Sequence, residues 1–340
     1  MFRRRLVAWT ITFFGLVFLP LLCLPGTAAE LSRQNLSPRK NRPLVIAICP
    51  KSLDNPVFVD AKETAELTAK RLNVILEWVA PFTVDPPAQA KIVENLIRRK
   101  VDGMAISCSD AELLRPLIDR AVEAGIKVAT IDADSPDSKR LFYCGTDNYK
   151  AGYACGEAMV RLVRARGLAK KTLRTAILTG GREAHNLNER IRGFKDAAAR
   201  AIKLKYTALL ACDDDTTMGA KMVEAYIKKH PETEAFFFSG GWAFFGPAES
   251  MPLYQEWCRR GGLAVSMDTF YPVLQAAKKG LVQALVGQDF RKMGELTVSY
   301  LVAAIKGLPV PGEYIYTGLE LADASNFDRL LASKKPWEMK

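Results

Sequence analysis

Residues 44–72 read LVIAICPKSLDNPVFVDAKETAELTAKRL. The first six are apolar in the manner of a buried strand, the last twelve carry helical spacing, and a polar loop joins them. Turn chemistry accounts for part of the loop, because Asn-Pro starts turns and Pro56 suits a first helical position. Asp54, Asn55 and Phe58 exceed that need, so a second reading stays open in which Asn55 and Phe58 hold a ligand. The pattern recurs. RTAILTGGREAHN (174–186) repeats strand, polar loop and helix start. DGMAISCSD (102–110) is echoed by EAFFFSGGW (234–242), and IKVATIDAD (126–134) by GLAVSMDTF (262–270), in the same order.

Outward from these pairs, ten apolar runs read as strands, at 44–49, 74–79, 101–106, 126–131, 141–144, 173–179, 206–211, 235–239, 263–267 and 282–286. Amphipathic helices fall between them, near 57–71, 86–99, 111–124, 147–166, 188–202, 216–229, 246–260, 270–279 and 291–306. Short buried strands alternating with helices mean parallel sheets covered on both faces. Ten strands exceed one modest sheet, so the expectation is α/β with two doubly wound, Rossmann-like lobes. Each polar loop sits at the carboxyl end of a strand, the edge where ligands bind in such sheets. Two such edges facing each other make a cleft.

The chain has 340 residues, 49% hydrophobic and 25% charged, which suits a soluble globular protein. Its formal charge is +11, and three of those charges are Arg3, Arg4 and Arg5 before the apolar run Leu6 to Leu24. PGTAAE follows, with Thr27 and Ala29 suited to the −3 and −1 positions of a signal-peptide cleavage site. Residues 1–29 therefore read as a leader cleaved near Ala29, an uncleaved anchor being the alternative, and 30–43 as a tether. Subtracting the three arginines leaves +8, spread along the chain and not gathered with aromatics as a nucleic-acid site requires. No nucleic-acid partner is expected. An exported chain meets an oxidising compartment, where Cys49, Cys108, Cys144, Cys155, Cys212 and Cys258 either pair or stay buried as thiols.

The strand-end side chains are amides, carboxylates, hydroxyls, a few cations and aromatics. Amides and carboxylates pair with adjacent hydroxyl groups, and rings cover an apolar C–H face. That chemistry grips a sugar or polyol, and no phosphate loop competes with it. Asp110 reads as a helix cap, DDD at 213–215 as another, and Arg190 as a structural anchor. Two histidines, with no nucleophile elbow and no metal-ligand spacing, point to no catalytic residues, no metal and no cofactor.

These residues carry a resemblance to the type I, ribose-binding class of periplasmic solute-binding proteins of sugar ABC transporters. It spans about 44–322, on DNPVF (54–58), TIDAD (130–134), GTDNYKAG (145–152), NERIRGF (188–194), SMD (266–268) and VGQDF (286–290). It implies two lobes on a three-segment hinge made by GTDNY, VGQDF and PGEYIY. The first lobe is expected at 44–146 plus 289–312, the second at 147–288 plus 313–323, with 324–340 a tail. Asn55, Phe58, Asp132, Asp268 and Gln288 match the family's ligand positions. Three positions depart: Ala133 and Asn188 stand where a ribose binder has arginines, and Gly240 where it has an asparagine. Lys51, Asp134 and Trp242 are the expected substitutes, so the ligand set is Lys51, Asn55, Phe58, Asp132, Asp134, Asn188, Trp242, Asp268 and Gln288. The resemblance implies a periplasmic monomer that binds a small neutral sugar or polyol and serves an ABC permease. A membrane sensor, or an enzyme on the same scaffold, is the alternative.

Overall fold

The computed structural model describes residues 42–334. The leader, the tether up to residue 41 and the last six residues of the tail lie outside the described residues. The chain runs β1 (Val45–Cys49), α1 (Phe58–Leu72), β2 (Ile75–Trp78), α2 (Pro86–Arg99), β3 (Gly103–Ile106), α3 (Ala111–Glu123), β4 (Lys127–Ile131) and β5 (Phe142–Gly145). It crosses into α4 (Asn148–Ala165), β6 (Thr172–Thr179), α5 (His185–Ala199), β7 (Lys203–Ala211), α6 (Thr216–Lys229) and β8 (Ala235–Phe238). Then come α7 (Pro252–Arg259), β9 (Leu263–Met267), α8 (Tyr271–Lys278) and β10 (Ala284–Gln288). It returns through α9 (Phe290–Ile305) and ends with β11 (Tyr314–Tyr316), β12 (Leu319–Asp323) and α10 (Phe327–Ser333).

Two six-stranded sheets result, ordered β11-β5-β4-β3-β1-β2 and β12-β10-β9-β8-β6-β7. The three sequence echoes occupy matching places: β1 with β6, β3 with β8, β4 with β9. All pairings are parallel except β12 against β10. Strands β1, β3, β8 and β9 are buried almost throughout because helices cover both faces, whereas β7 at an edge is half exposed along its length. Aspartates cap the helices: Asp85, Asp110, Asp147, Asp215 and Asp289 each accept a backbone N–H in the first turn, at about 1 kcal/mol apiece. α9 packs on α1 and on β3, β4 and β5 of the first sheet.

The end of the chain departs from expectation. The segment 313–323, assigned whole to the second lobe, is divided. Tyr314–Tyr316 pairs with β5 in the first sheet, and Leu319–Asp323 pairs with β10 in the second. Gly318, at φ +94°, supplies the left-handed turn between the two. Within the supposed tail, α10 packs against α8 and buries Phe327 and Leu330. All six cysteines among the described residues are free, and five are buried. Burial pushes Cys49 and Cys258 up to about 12, so these thiols behave as small core side chains.

Candidate functional site

In each sheet the strand order reverses beside one strand, β1 in the first and β6 in the second. Loops leaving opposite sides of that point open a crevice at the carboxyl ends of the strands. Side chains from both crevices meet in one cleft, Lys51, Asn55 and Asp132 from the first and Arg190, Trp242 and Asp268 from the second.

Asp132 and Asp268 each follow a strand directly, and each adopts a left-handed backbone, φ +61° and +77°. Aspartate tolerates that region better than most residues. In both, the amide still bonds to the neighbouring strand, Asp132 to the Cys144 carbonyl at 3.1 Å and Asp268 to that of Val286 at 2.8 Å. The turn thus takes the carboxylate out of the strand's alternation, and both carboxylates line the cleft. Ser107 Oγ donates to Asp132 Oδ2 at 2.7 Å. Asp268 accepts the Gly241 amide at 2.9 Å and Gln288 Nε2 at 2.8 Å.

Arg190 is the hub of the second lobe. Its guanidinium donates to Asn148 Oδ1 (2.8 Å), the Ser239 carbonyl (2.9 Å) and Gln288 Oε1 (2.7 Å). Thr146 Oγ1 also donates to Gln288 Oε1 at 2.9 Å, so two crossover segments share one amide. The reach of Arg190 depends on close helix packing. A Cβ on Gly152 of α4 would stand 1.9 Å from the Arg190 carbonyl, and one on Gly193 of α5 would stand 2.1 Å from that of Tyr149. Only glycine permits that approach.

Lys51, buried in the first lobe's loop, donates to Asn186 Oδ1 at 3.2 Å and lies 3.9 Å from Asp214 Oδ2, both in the second lobe. Three carboxylates, Asp132, Asp214 and Asp268, therefore face two cations, Lys51 and Arg190. Burial pushes Asp214 and Asp268 above the usual carboxylate range, and Lys51 and Arg190 respectively pull them back.

Phe58 is buried and meets Phe290 edge-on at 5.8 Å. Asn55 is buried beside it, its Oδ1 accepting the Val57 amide at 3.2 Å. Trp242, on a one-turn 3-10 helix at Trp242–Phe244, closes the other wall. A Cβ at position 240 would come within 2.5 Å of the indole. The missing amide at Gly240 and the presence of Trp242 are thus one event: the ring occupies the space a side chain there would need.

Lys51, Asn55, Phe58, Asp132, Trp242, Asp268 and Gln288 converge on the cleft, and two expected residues do not. Asp134 is held by Arg140, whose Nη2 donates at 2.7 Å, and by Thr130 and Ser135. It forms a buried ion pair behind the cleft, because the turn at Asp132 aims only the first aspartate of TIDAD inward. Asn188 is exposed and donates to the Arg182 carbonyl at 2.9 Å. On a helix, Asn186 and Arg190 at i and i+4 share a face while i+2 points away. Asn186, Arg190 and Asp214 line the cleft outside the expected set. The i, i+4 spacing carried a signal for the first two. DDD carried none that separates Asp214 in the cleft from Asp215, which caps α6.

A family model described as "Periplasmic binding protein domain" matches residues 46–309. The ribose import binding protein of Bacillus subtilis is 27% identical over 253 residues, 74% of this chain and 78% of that one. The D-ribose/D-allose-binding protein of Pseudomonas aeruginosa is 26% identical over 68% of this chain and 70% of its own. Among solved structures, an ABC transporter solute-binding protein from Burkholderia graminis in complex with D-arabinose superposes with a TM-score of 0.76. It is 32% identical, over 83% of this chain and 96% of that one.

Proposed function

Because the chain belongs to the periplasmic binding protein domain family, we propose that it is an exported solute-binding protein for a monosaccharide or similar small neutral polyol. It delivers that ligand to an ABC import permease. The observation that carries the reading is the convergence of matched carboxylates, Asp132 and Asp268, with Phe58 and Trp242 on one cleft between two lobes. Carboxylates and the Gln288 and Asn55 amides bond ring hydroxyls, and the aromatic walls cover the apolar face of the ring. The relatives are named as import and sugar-binding proteins, which favours import over sensing. Binding without turnover is the corresponding expectation, and the protein acts as a monomer.

Asn55, Phe58 and Asp132 belong to one lobe, Trp242 and Asp268 to the other. Only a closed form lets one small ligand touch both sets, so ligand shifts the balance toward closure. The leader is cleaved near Ala29, and among the described residues no helix is long and apolar enough to cross a membrane. A thermal-shift screen with D-arabinose, D-ribose, D-glucose and D-galactose tests the proposal, since a ligand of the folded state raises the unfolding midpoint. No shift with any monosaccharide at millimolar concentration would refute it.

A further inference from the structure

The three cleft carboxylates are not held alike. Asp132 takes a hydrogen bond from Ser107, and Asp268 takes two, from Gly241 and Gln288. Asp214 takes none from any described residue. It is 7% exposed, its Oδ1 is buried without a hydrogen-bond partner, and its nearest cation is the Lys51 ammonium, 3.9 Å from Oδ2. Among the described residues Lys51 in turn makes one hydrogen bond, to Asn186, with an ammonium that carries three donors. Burying an ion pair at that separation with so few hydrogen bonds is poor compensation for removing both charges from water.

The local backbone maintains this arrangement. Asp213 and Asp214 are both left-handed, φ +50° and +60°, while Asp215 alone caps α6. Capping therefore does not require Asp214. Gly180, at the end of β6, leaves the space for it: a Cβ there would stand 1.8 Å from Asp214 Oδ1.

We propose that Asp214 is a specificity-determining carboxylate of the cleft, accepting a hydroxyl next to the one that receives a hydrogen bond from Lys51, so that the cleft takes neutral sugars with adjacent hydroxyls at that end and rejects acidic ones. The inference rests on the sugar-binding reading above. Two neighbouring hydroxyls supply the donor that Asp214 lacks and the acceptor that Lys51 lacks, and they bridge the lobes in doing so. An acidic sugar instead adds a fourth negative charge to Asp132, Asp214 and Asp268, against only Lys51 and Arg190.

Calorimetric titration of the exported chain with D-arabinose, D-ribose, D-galactose and D-galacturonate tests this. Wild type should bind at least one neutral sugar and reject galacturonate. Asp214→Asn, which keeps the shape and loses the charge, should weaken the neutral sugar tenfold or more and narrow the gap to galacturonate. Gly180→Ala should reproduce the loss by displacing the carboxylate, and a circular-dichroism spectrum of Asp214→Asn that matches wild type would exclude a folding defect. Neutral-sugar affinity within twofold of wild type in Asp214→Asn would overturn the role of Asp214 and leave the sugar reading intact. A wild type that binds none of the neutral sugars would overturn both.

Discussion

Asp132 after β4 and Asp268 after β9 share a place in the fold, a left-handed backbone and a ladder bond to the next strand, yet their surroundings differ. In the second lobe Asp268 is held by Gly241 and Gln288, and Arg190 ties Gln288 to Asn148 and Ser239. In the first lobe, among the described residues, Asp132 is held through its carboxylate by Ser107 alone, and the Asn55 amide bonds only within its own turn. The duplicated fold has kept the scaffold in both halves and given the second lobe's carboxylate the denser set of partners. The second lobe presents a half-site oriented before any ligand arrives, and the first lobe closes over it with Phe58, Asn55 and Lys51. Pre-organisation of this kind lowers the ordering cost of binding.

That asymmetry can be broken at its hub. Arg190→Ala strands Asn148 Oδ1, leaves Gln288 Oε1 with its Thr146 bond and leaves buried carboxylates uncompensated, so it should cost about 3–5 kcal/mol of folding stability in urea unfolding. Lys51→Ala, with one hydrogen bond to lose, should cost clearly less. Equal losses would show the two lobes to be equally committed.

The paired carboxylates sharpen the comparison. Asp268→Ala should weaken sugar binding by about 2–4 kcal/mol, because it leaves ligand hydroxyls unpaired and also frees Gln288. Asp132→Ala should cost about 1–3 kcal/mol on the same scale. Calorimetry that ranks them the other way would make the first lobe the pre-set half.

A smaller effect should follow pH. Asp214 and Asp268 are pushed up by burial, so the folded protein retains protons there that the unfolded chain releases near pH 4. Their contribution to stability is therefore full below that pH and declines as pH rises through the folded values. The difference in unfolding midpoint between wild type and Asp214→Asn should shift in the variant's favour as pH is raised from 5 to 7. A difference independent of pH would show that Asp214 titrates as it does in the unfolded chain.

The smallest effect belongs to Asn188. Exposed and bonded to the Arg182 carbonyl, it should change sugar affinity by less than about 0.5 kcal/mol when replaced by alanine. A tenfold loss would mean that α5 turns a different face to the ligand when the lobes close.

Much of the molecule is legible in the residues themselves. The ten expected strands coincide with β1 to β10; most are buried on both faces and must therefore be short apolar runs, and the edge strands β2 and β7 keep enough apolar residues to be read with them. β11 and β12 lack that signature because each is short and largely exposed, and its place depends on partners distant in sequence. Asp132 and Asp268 stand out because they repeat at the same rank in two similar halves.

The sequence by itself determined the α/β alternation, the duplication and the strand ends from which a site must be built, because periodicity and strand-end chemistry are local. Only the tertiary structure decided which polar side chain at those ends turns inward. Asp132 enters the cleft and Asp134 meets Arg140, Arg190 reaches inward while Asn188 faces solvent, and Asp214 lines the cleft beside the helix cap Asp215. Each of these choices rests on a left-handed turn, a helix face or a glycine contact between elements far apart in the chain; spacing hints at the shared face of Asn186 and Arg190 and leaves the turns and the glycine contacts undetermined.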